Sequence, residues 1–267
     1  MNNPEPQASF QVDQLRVEVH RDRASMGLAA AIHVAEVLRR RLLGGKLVSV
    51  VFASAPSQNE FLAELSQLCG VDWSRVIAFH MDEYVGLPSE APQSFGRFLQ
   101  DRLFSRVKPG IVHFLDGTCA DLAREIARYS SLLKTHAPDI VCGGIGENGH
   151  LAFNDPRNAD FDDPFQVKIV QLALRSRQQQ VNDGCFAHLE DVPKRALTLT
   201  IPSLLSASSF SCVVPGTSKA KAVKRMLTGP ISTACPASAL RRHPQAILYL
   251  DPGSASMVQA MGTRGDE

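Results

Sequence analysis

Five short, largely apolar runs separated by helical segments constrain this chain more than any other feature. They are Leu47–Phe52, Val76–Met81, Asp139–Gly143, Phe210–Val214 and Ala246–Leu250. Leu47–Phe52 is apolar at nearly every position, which marks a strand buried on both faces. The intervening stretches carry helix signals. Asp22 is placed to cap a helix from Ala24 to Leu43, and Gly44 and Gly45 end it. Further helices are expected over Pro56–Leu68, from Ser94 to Phe104, over Ala120–Leu133 and over Ser218–Leu227. Short strands are expected at Leu15–Val19, Val112–Phe114, Val167–Leu172 and Ala196–Ile201, a loop over Tyr84–Gln93, and an exposed excursion over Asn158–Pro164. The final residues, Gly262–Glu267, read as frayed.

Strands that alternate with helices and are buried on both faces require an α/β fold. The expected form is a Rossmann-like, doubly wound, mostly parallel sheet. No linker, repeat or low-complexity tract interrupts the 267 residues, so residues 1–267 are expected to form a single domain. Ligands bind such sheets beyond the carboxyl ends of the strands. The loops after Phe52, Met81, Cys142 and Val214 are therefore where function is sought.

Charge and cysteine usage narrow the class. A net charge of +1 gives no basic surface for nucleic acid or for an acidic membrane. The run Arg39-Arg40-Arg41 falls at a helix end, where cations offset the dipole. Six cysteines are scattered without a C-x-x-C pair or a zinc-like spacing, which points to a reducing compartment. No charged segment followed by an apolar run opens the chain, and no apolar stretch reaches membrane-spanning length. A cytoplasmic protein is expected.

Three segments carry chemistry. In the first, Asp82 and Glu83 end a buried strand. Successive side chains of an extended chain point opposite ways, so only one of the two can face a given pocket. A partly dehydrated carboxylate there suits proton transfer beside a carbonyl, and a capping or surface acid pair is the alternative. The second runs from Gly143 to Pro156. Its glycines allow close backbone approach, His150 exchanges protons near neutral pH, and Asp155 is placed to orient it. The third, Pro215–Ala220, sets Lys219 at a helix start that favours an anion, or else is a capped helix with a surface lysine.

Taken together, and in this order and spacing, the three segments resemble the glucosamine-6-phosphate deaminase/isomerase family. The resemblance rests on Met81-Asp82-Glu83-Tyr84 with Gly86-Leu87-Pro88, on Gly143-Gly144 through Gly149-His150 to Phe153-Asn154, and on Gly216 with Lys219-Ala220. Ala196-Leu197-Thr198 and the stretch Arg242–Ile247 add to it, and it covers about Leu47 to Leu250. It implies the deaminase-type fold and an aldose–ketose isomerase/deaminase that converts a hexosamine 6-phosphate, glucosamine 6-phosphate foremost, to fructose 6-phosphate and ammonia. No metal and no organic cofactor is implied.

By the same resemblance, Asp82 shuttles a proton between C1 and C2 of the opened sugar, and His150 helps open the ring. Asn148 and Asp155 support that histidine. Lys219 holds the phosphate; Gly149, and the Ser54 and Ser57 hydroxyls of a loop that departs from the family pattern, are the further contacts expected. A sugar phosphate is the expected partner, with no nucleic acid and no membrane, and a homo-oligomer is compatible with the chain. The related 6-phosphogluconolactonases usually read Asp-Glu-Arg where this chain has Asp82-Glu83-Tyr84, and Ala-Ser-Leu-Phe where it has Leu151–Asn154. The deaminase side is the nearer match.

Four positions depart from the family pattern. Asn148 stands where some members have aspartate. Asp155 replaces the more usual glutamate and is one methylene shorter. The phosphate loop after the first buried strand, typically Thr-Gly-Gly-Thr-Pro, here reads Ala53–Ser57 and has lost both glycines. An arginine that grips phosphate has no aligned counterpart, although Arg175 and Arg177 lie in a candidate stretch. The loop Ala53–Gln58 is expected to keep a helix start facing the anion and to use the Ser54 and Ser57 hydroxyls, because Pro56, Phe61, Leu62 and Leu65 still specify a helix there; the alternative is a pocket that accepts a different substrate. The competing readings are a lactonase or another sugar-phosphate isomerase and, in a different class, a sugar-phosphate sensor. A sensor would need no proton shuttle.

Overall fold

The first helix shows how local signals set the frame. In the computed structural model, which describes residues 4–258, Asp22 accepts from the Ser25 backbone while the Ser25 hydroxyl accepts from the Asp22 amide. This capping box starts α1 (Arg23–Leu42) one residue before the expected Ala24. Arg39, Arg40 and Arg41 fill its last turn, and Arg41 also pairs with Asp139 at 2.7 Å. Ahead of α1, β1 (Ala8–Val12) and β2 (Leu15–Val19) form an antiparallel hairpin. β1 lies at a half-exposed sheet edge, and its short mixed run Ala-Ser-Phe-Gln-Val gave no buried-strand signal.

The chain then alternates. β3 (Val48–Phe52) leads through a single 3-10 turn at Pro56–Gln58 into α2 (Asn59–Leu65). β4 (Val76–His80) is followed at once by β5 (Asp82–Tyr84), with only Met81 between them. Ser94 caps α3 (Phe95–Leu99), which passes through a π-helical turn at Gln100–Phe104 into α4 (Ser105–Val107). Next come β6 (Ile111–His113), α5 (Leu122–Thr135), β7 (Ile140–Gly143), β8 (Val167–Gln171), α6 (Leu174–Asn182), β9 (Arg195–Leu199) and α7 (Ile201–Leu205). β10 (Ser209–Val214), α8 (Ala220–Thr228), β11 (Ala246–Leu250) and α9 (Pro252–Ala255) complete the described chain. Gly262–Glu267 lies outside the described residues.

The eight-stranded sheet runs β1-β2-β11-β10-β7-β3-β4-β6 and is parallel except for the β1–β2 hairpin. One face packs under α1, α2, Leu99 of α3 and the π-helical turn. The other packs under α5, α7 and α8. The sheet is thus doubly wound, as expected. Two expected strands do not join it. β8 and β9 pair with β5 in a separate antiparallel sheet of three strands. β8 alternates buried and exposed positions, a pattern that suits a half-covered antiparallel strand. From β3 the chain winds outward through β4 to β6; from β7 it winds the other way through β10 to β11. The reversal opens a crevice at the carboxyl ends of β3 and β7. Among the described residues, no helix is long and apolar enough to cross a membrane.

Candidate active site

That crevice is a cleft of about 520 Å³, counting its open mouth. All four loops singled out in the sequence reach it: Ala53, Ser54, Ala55, Ser57 and Gln58 after β3, Met81 and Asp82 after β4, Gly144, Ile145, Gly146 and His150 after β7, and Lys219 after β10.

Asp82 owes its place to the step from one sheet to the other. β4 ends at His80, Met81 still touches both sheets through Phe52 O and Leu199 N, and Asp82 opens β5 opposite Thr198. Asp82 lines the cleft, while Glu83 points away from it. Glu83 accepts from Ser94 Oγ at 2.8 Å and from the amides of Tyr84, Phe95 and Gly96 at 2.9–3.2 Å, tying β5 to the start of α3. Strand alternation thus divides the acid pair into one cleft-facing group and one cap. Asp82 is 7% exposed. Burial, and after it the charge of Glu83, raise its pKa well above the ordinary carboxylate value.

His150 is positioned by the turn before it. Gly149 has φ +87°, and a Cβ there would lie 2.7 Å from Cys235 Sγ. It is therefore a hinge of the turn and does not itself line the cleft, so the expected contact between Gly149 and phosphate is not made by its position. The imidazole packs so closely on Gly146 that a Cβ on that residue would meet ring atoms at 2.0–2.4 Å. Behind the ring, Asn148 Nδ2 donates to Asp155 Oδ1 at 2.7 Å, and Asn148 Oδ1 accepts from the His150 amide at 3.0 Å. His150 Nδ1 lies 3.3 Å from Asp155 Oδ1.

Burial raises the Asp155 pKa. Its hydrogen bond and charge interaction with His150, and donors from Ser176 and Asn148, outweigh burial and hold the carboxyl well below the usual range. Asn148 and Asp155 thus stand behind the histidine, away from the cleft lining. The turn Leu151–Asn154 is fastened to β9 by Asn154 Nδ2, which donates to Leu199 O at 2.8 Å, and Phe153 N donates to Thr198 Oγ1 at 3.1 Å. It holds Ala152, a cleft residue, at φ 48°, a left-handed conformation costing a non-glycine residue about 1–2 kcal/mol.

Lys219 is 5% exposed, and among the described residues no carboxylate lies within ion-pair distance of it. Burial lowers its pKa, while the charges of Asp183 and Glu147 oppose the shift. The helix start beside it differs from expectation. The Gly216 amide donates to both oxygens of Asp251 at 3.0 Å, so the loop's first amide is already occupied by a carboxylate of this chain. From this loop only the Lys219 side chain faces the cleft. In the loop after β3, Pro56 begins the helical turn, as expected, and Ala55 precedes it in extended conformation. The Ser54 hydroxyl is buried at the cleft wall without a partner among the described residues, as is Gln58 Oε1.

Four polar residues at or behind the cleft are not among the site residues expected from the sequence. Gln58 hydrogen-bonds Val213 O at 3.2 Å from the cleft wall. Ser176, Gln179 and Gln180 come from α6, where no helix was expected; the two glutamines line the cleft and Ser176 backs it. The signal was present, since buried Ser176, Gln179 and Gln180 recur at the three-to-four spacing of one helix face, but the face is polar and gave no apolar stripe. The arginines of this stretch do not line the cleft: Arg177 is bound to the carbonyls of Leu189 and Val192, and Arg175 reaches the Glu147 carbonyl at 3.4 Å. Among the described residues, no group of three or more His, Cys, Asp or Glu is placed to hold a metal ion.

A family model described as glucosamine-6-phosphate isomerases/6-phosphogluconolactonase matches residues 18–249. A glucosamine-6-phosphate deaminase of Lactobacillus delbrueckii subsp. bulgaricus is 35% identical over 217 residues, covering 81% of this chain and 89% of its own. One from Streptococcus uberis is 36% identical over 214 residues, covering 80% and 88%. Among solved structures, a monomeric glucosamine-6-phosphate deaminase superposes with a TM-score of 0.83 at 29% identity, covering 90% of this chain and 99% of that one. A 6-phosphogluconolactonase of Trypanosoma brucei superposes with a TM-score of 0.74 at 16% identity, covering 94% and 100%, a likeness of fold.

Proposed function

This chain belongs to the family of glucosamine-6-phosphate isomerases and 6-phosphogluconolactonases, and within it we propose that it is an enzyme converting glucosamine 6-phosphate and water to fructose 6-phosphate and ammonia. The observation that carries the reading is one cleft holding both a buried carboxyl without a partner among the described residues, Asp82, and an imidazole anchored from behind, His150. The deaminase relatives at 35–36% identity support it.

The chemistry is proton transfer. His150 Nε2 takes the proton of the anomeric hydroxyl and returns one to the ring oxygen, which opens the ring to the aldehyde. Asp82, ionised, removes the proton from C2 as O1 gains one from the substrate's ammonium group, and then delivers it to C1. The C2 iminium that results adds water and expels ammonia. A base whose pKa is raised toward the working pH is suited to both halves of this shuttle. Lys219, buried and without an acid partner among the described residues, offers the positive charge for the phosphate, and the Ser54 hydroxyl offers a donor from the same cleft. Ser57, in the first helical turn, adds a second hydroxyl at the same wall.

Ammonia release from glucosamine 6-phosphate and galactosamine 6-phosphate tests the reading, with hydrolysis of 6-phosphogluconolactone measured in parallel. Turnover of an amino sugar phosphate, abolished in His150→Gln, is the expected result. Lactone hydrolysis without ammonia release would move the protein to the other branch of its family.

A further inference from the structure

The contact between His150 and its acid is long. Charge-assisted N–H···O pairs close to about 2.7–2.9 Å, yet His150 Nδ1 stands 3.3 Å from Asp155 Oδ1. Asp155 has no freedom to close the gap. It is 1% exposed, its Oδ1 already accepts from Asn148 Nδ2 at 2.7 Å, and its Oδ2 accepts from the Ala173 amide at 3.2 Å. The side chain that spans the gap is Ser176, also 1% exposed, whose Oγ lies 2.5 Å from Asp155 Oδ1 and 3.2 Å from His150 Nδ1.

The protons can be assigned by elimination. An ionised carboxylate only accepts, and a serine hydroxyl has one proton. The short Ser176–Asp155 contact therefore uses that proton, and Ser176 Oγ is left with lone pairs toward His150. Nδ1 must then be the N–H nitrogen, donating to Ser176 Oγ and, more weakly, to Asp155. In the neutral ring this leaves Nε2 with its lone pair, and among the described residues Nε2 has no partner.

We propose that Ser176 is a positioning residue that links Asp155 to His150 and fixes the imidazole in the Nδ1–H tautomer, with Nε2 bare as a proton acceptor. The catalytic consequence rests on the function proposed above; the tautomer itself does not. The carboxylate, one methylene short of a glutamate, is extended by a hydroxyl from a different helix. α6, which also brings Gln179 and Gln180 to the cleft, is thereby coupled to the proton-transfer group.

The test uses the full chain with 15N-labelled histidine and long-range 1H–15N NMR. The His150 signal is assigned among the eight histidines by its loss in His150→Gln. Wild type should show the Nδ1–H tautomer, and Ser176→Ala should show a mixture with Nε2–H. Ser176→Cys, which keeps the volume but donates poorly, should shift in the same direction. With glucosamine 6-phosphate, Ser176→Ala should lower kcat on the order of 10–100-fold with KM within about twofold, below the roughly 10⁴-fold seen when a tautomer-setting acid is removed outright.

The double variant Ser176→Ala/Asp155→Glu places a carboxylate where the hydroxyl was, and should regain both the tautomer and most of kcat. An unchanged tautomer in both Ser176 variants would overturn the proposal. So would a lost kcat that Asp155→Glu does not restore, since that is the mark of a packing role. If wild type releases no ammonia while the tautomer still shifts in Ser176→Ala, the link stands and the substrate assignment fails.

Discussion

Asp82 and Glu83 are neighbours in sequence with opposite environments, and the difference is visible in how each should respond to substitution. Glu83 is held by four donors, so its removal leaves the Ser94 hydroxyl and the first amides of α3 without their acceptor. Asp82 is buried and has no donor among the described residues, and its folded pKa is raised above its ordinary value of 3.8. Such a group favours the folded state fully below the unfolded pKa, and that contribution is lost as pH rises through the folded pKa. Asp82→Asn should therefore melt at a higher temperature than wild type at pH 8, and the advantage should vanish near pH 4. Each 1 kcal/mol is worth about 2–4 °C in a large domain. The same variant should lose about 10²–10⁴-fold in turnover. A variant that is inactive and no more stable at pH 8 would show that Asp82 is not a strained, desolvated acid.

Lys219 gives the matching case for a cation. Its pKa is lowered, chiefly by burial, so the protonated form costs stability at neutral pH, and Lys219→Met should melt higher than wild type in buffer without phosphate. Inorganic phosphate should raise the melting temperature of wild type by mass action and leave that of Lys219→Met unmoved. An equal phosphate response in both proteins would relocate the anion site.

At the scale of elements, the site depends on how closely a turn and a ring approach. Gly146 follows β7 and lies under the His150 imidazole. Gly146→Ala should displace the ring by forcing a Cβ into atoms 2.0–2.4 Å away. A loss of activity with near-normal circular dichroism is expected, and retention of more than about half of wild-type turnover would show that the turn yields. The helix starts are local in origin: Asp22 and Ser25, Ser94 and Pro56 were all legible because each cap or first turn is satisfied within a few residues. α6 was not legible, because its buried face is polar and is stabilised by the site it serves, with Ser176 bound to Asp155 and Gln179 to the Glu147 amide.

For the whole molecule, the two faces of the central sheet form two separate apolar cores, and the cysteines report on them. Cys142 on β7 and Cys212 on β10 are fully buried on adjacent central strands, and burial pushes both thiols far up. Cys69 is exposed, and Cys119 is partly so. Cys185 is half-buried and raised to about 11. A thiol-specific chromophore should label Cys69 and Cys119 promptly in the native protein. Cys142 and Cys212 should label only at the rate of global unfolding, because the central strands open with the whole domain. Prompt labelling of either buried thiol, read by peptide mapping, would contradict the packing of β7 against β10.

The α/β class, most strands and helices, and the loops that reach the cleft were determined by the sequence alone. Apolar runs buried on both faces leave few alternatives, and in a doubly wound sheet chain reversal puts function at the carboxyl ends of the strands. The tertiary structure decided the rest. It sent β8 and β9 into a second sheet with β5, so that Asp82 turns inward at the junction and Glu83 becomes a cap. It gave the Gly216 amide to Asp251, from a strand end 35 residues away, and left Lys219 in the cleft without an acid partner among the described residues. It also brought Ser176 between two residues already recognised, Asp155 and His150. Each of these is a contact between segments distant in sequence, and local propensity carries no information about which distant donor will meet which acceptor.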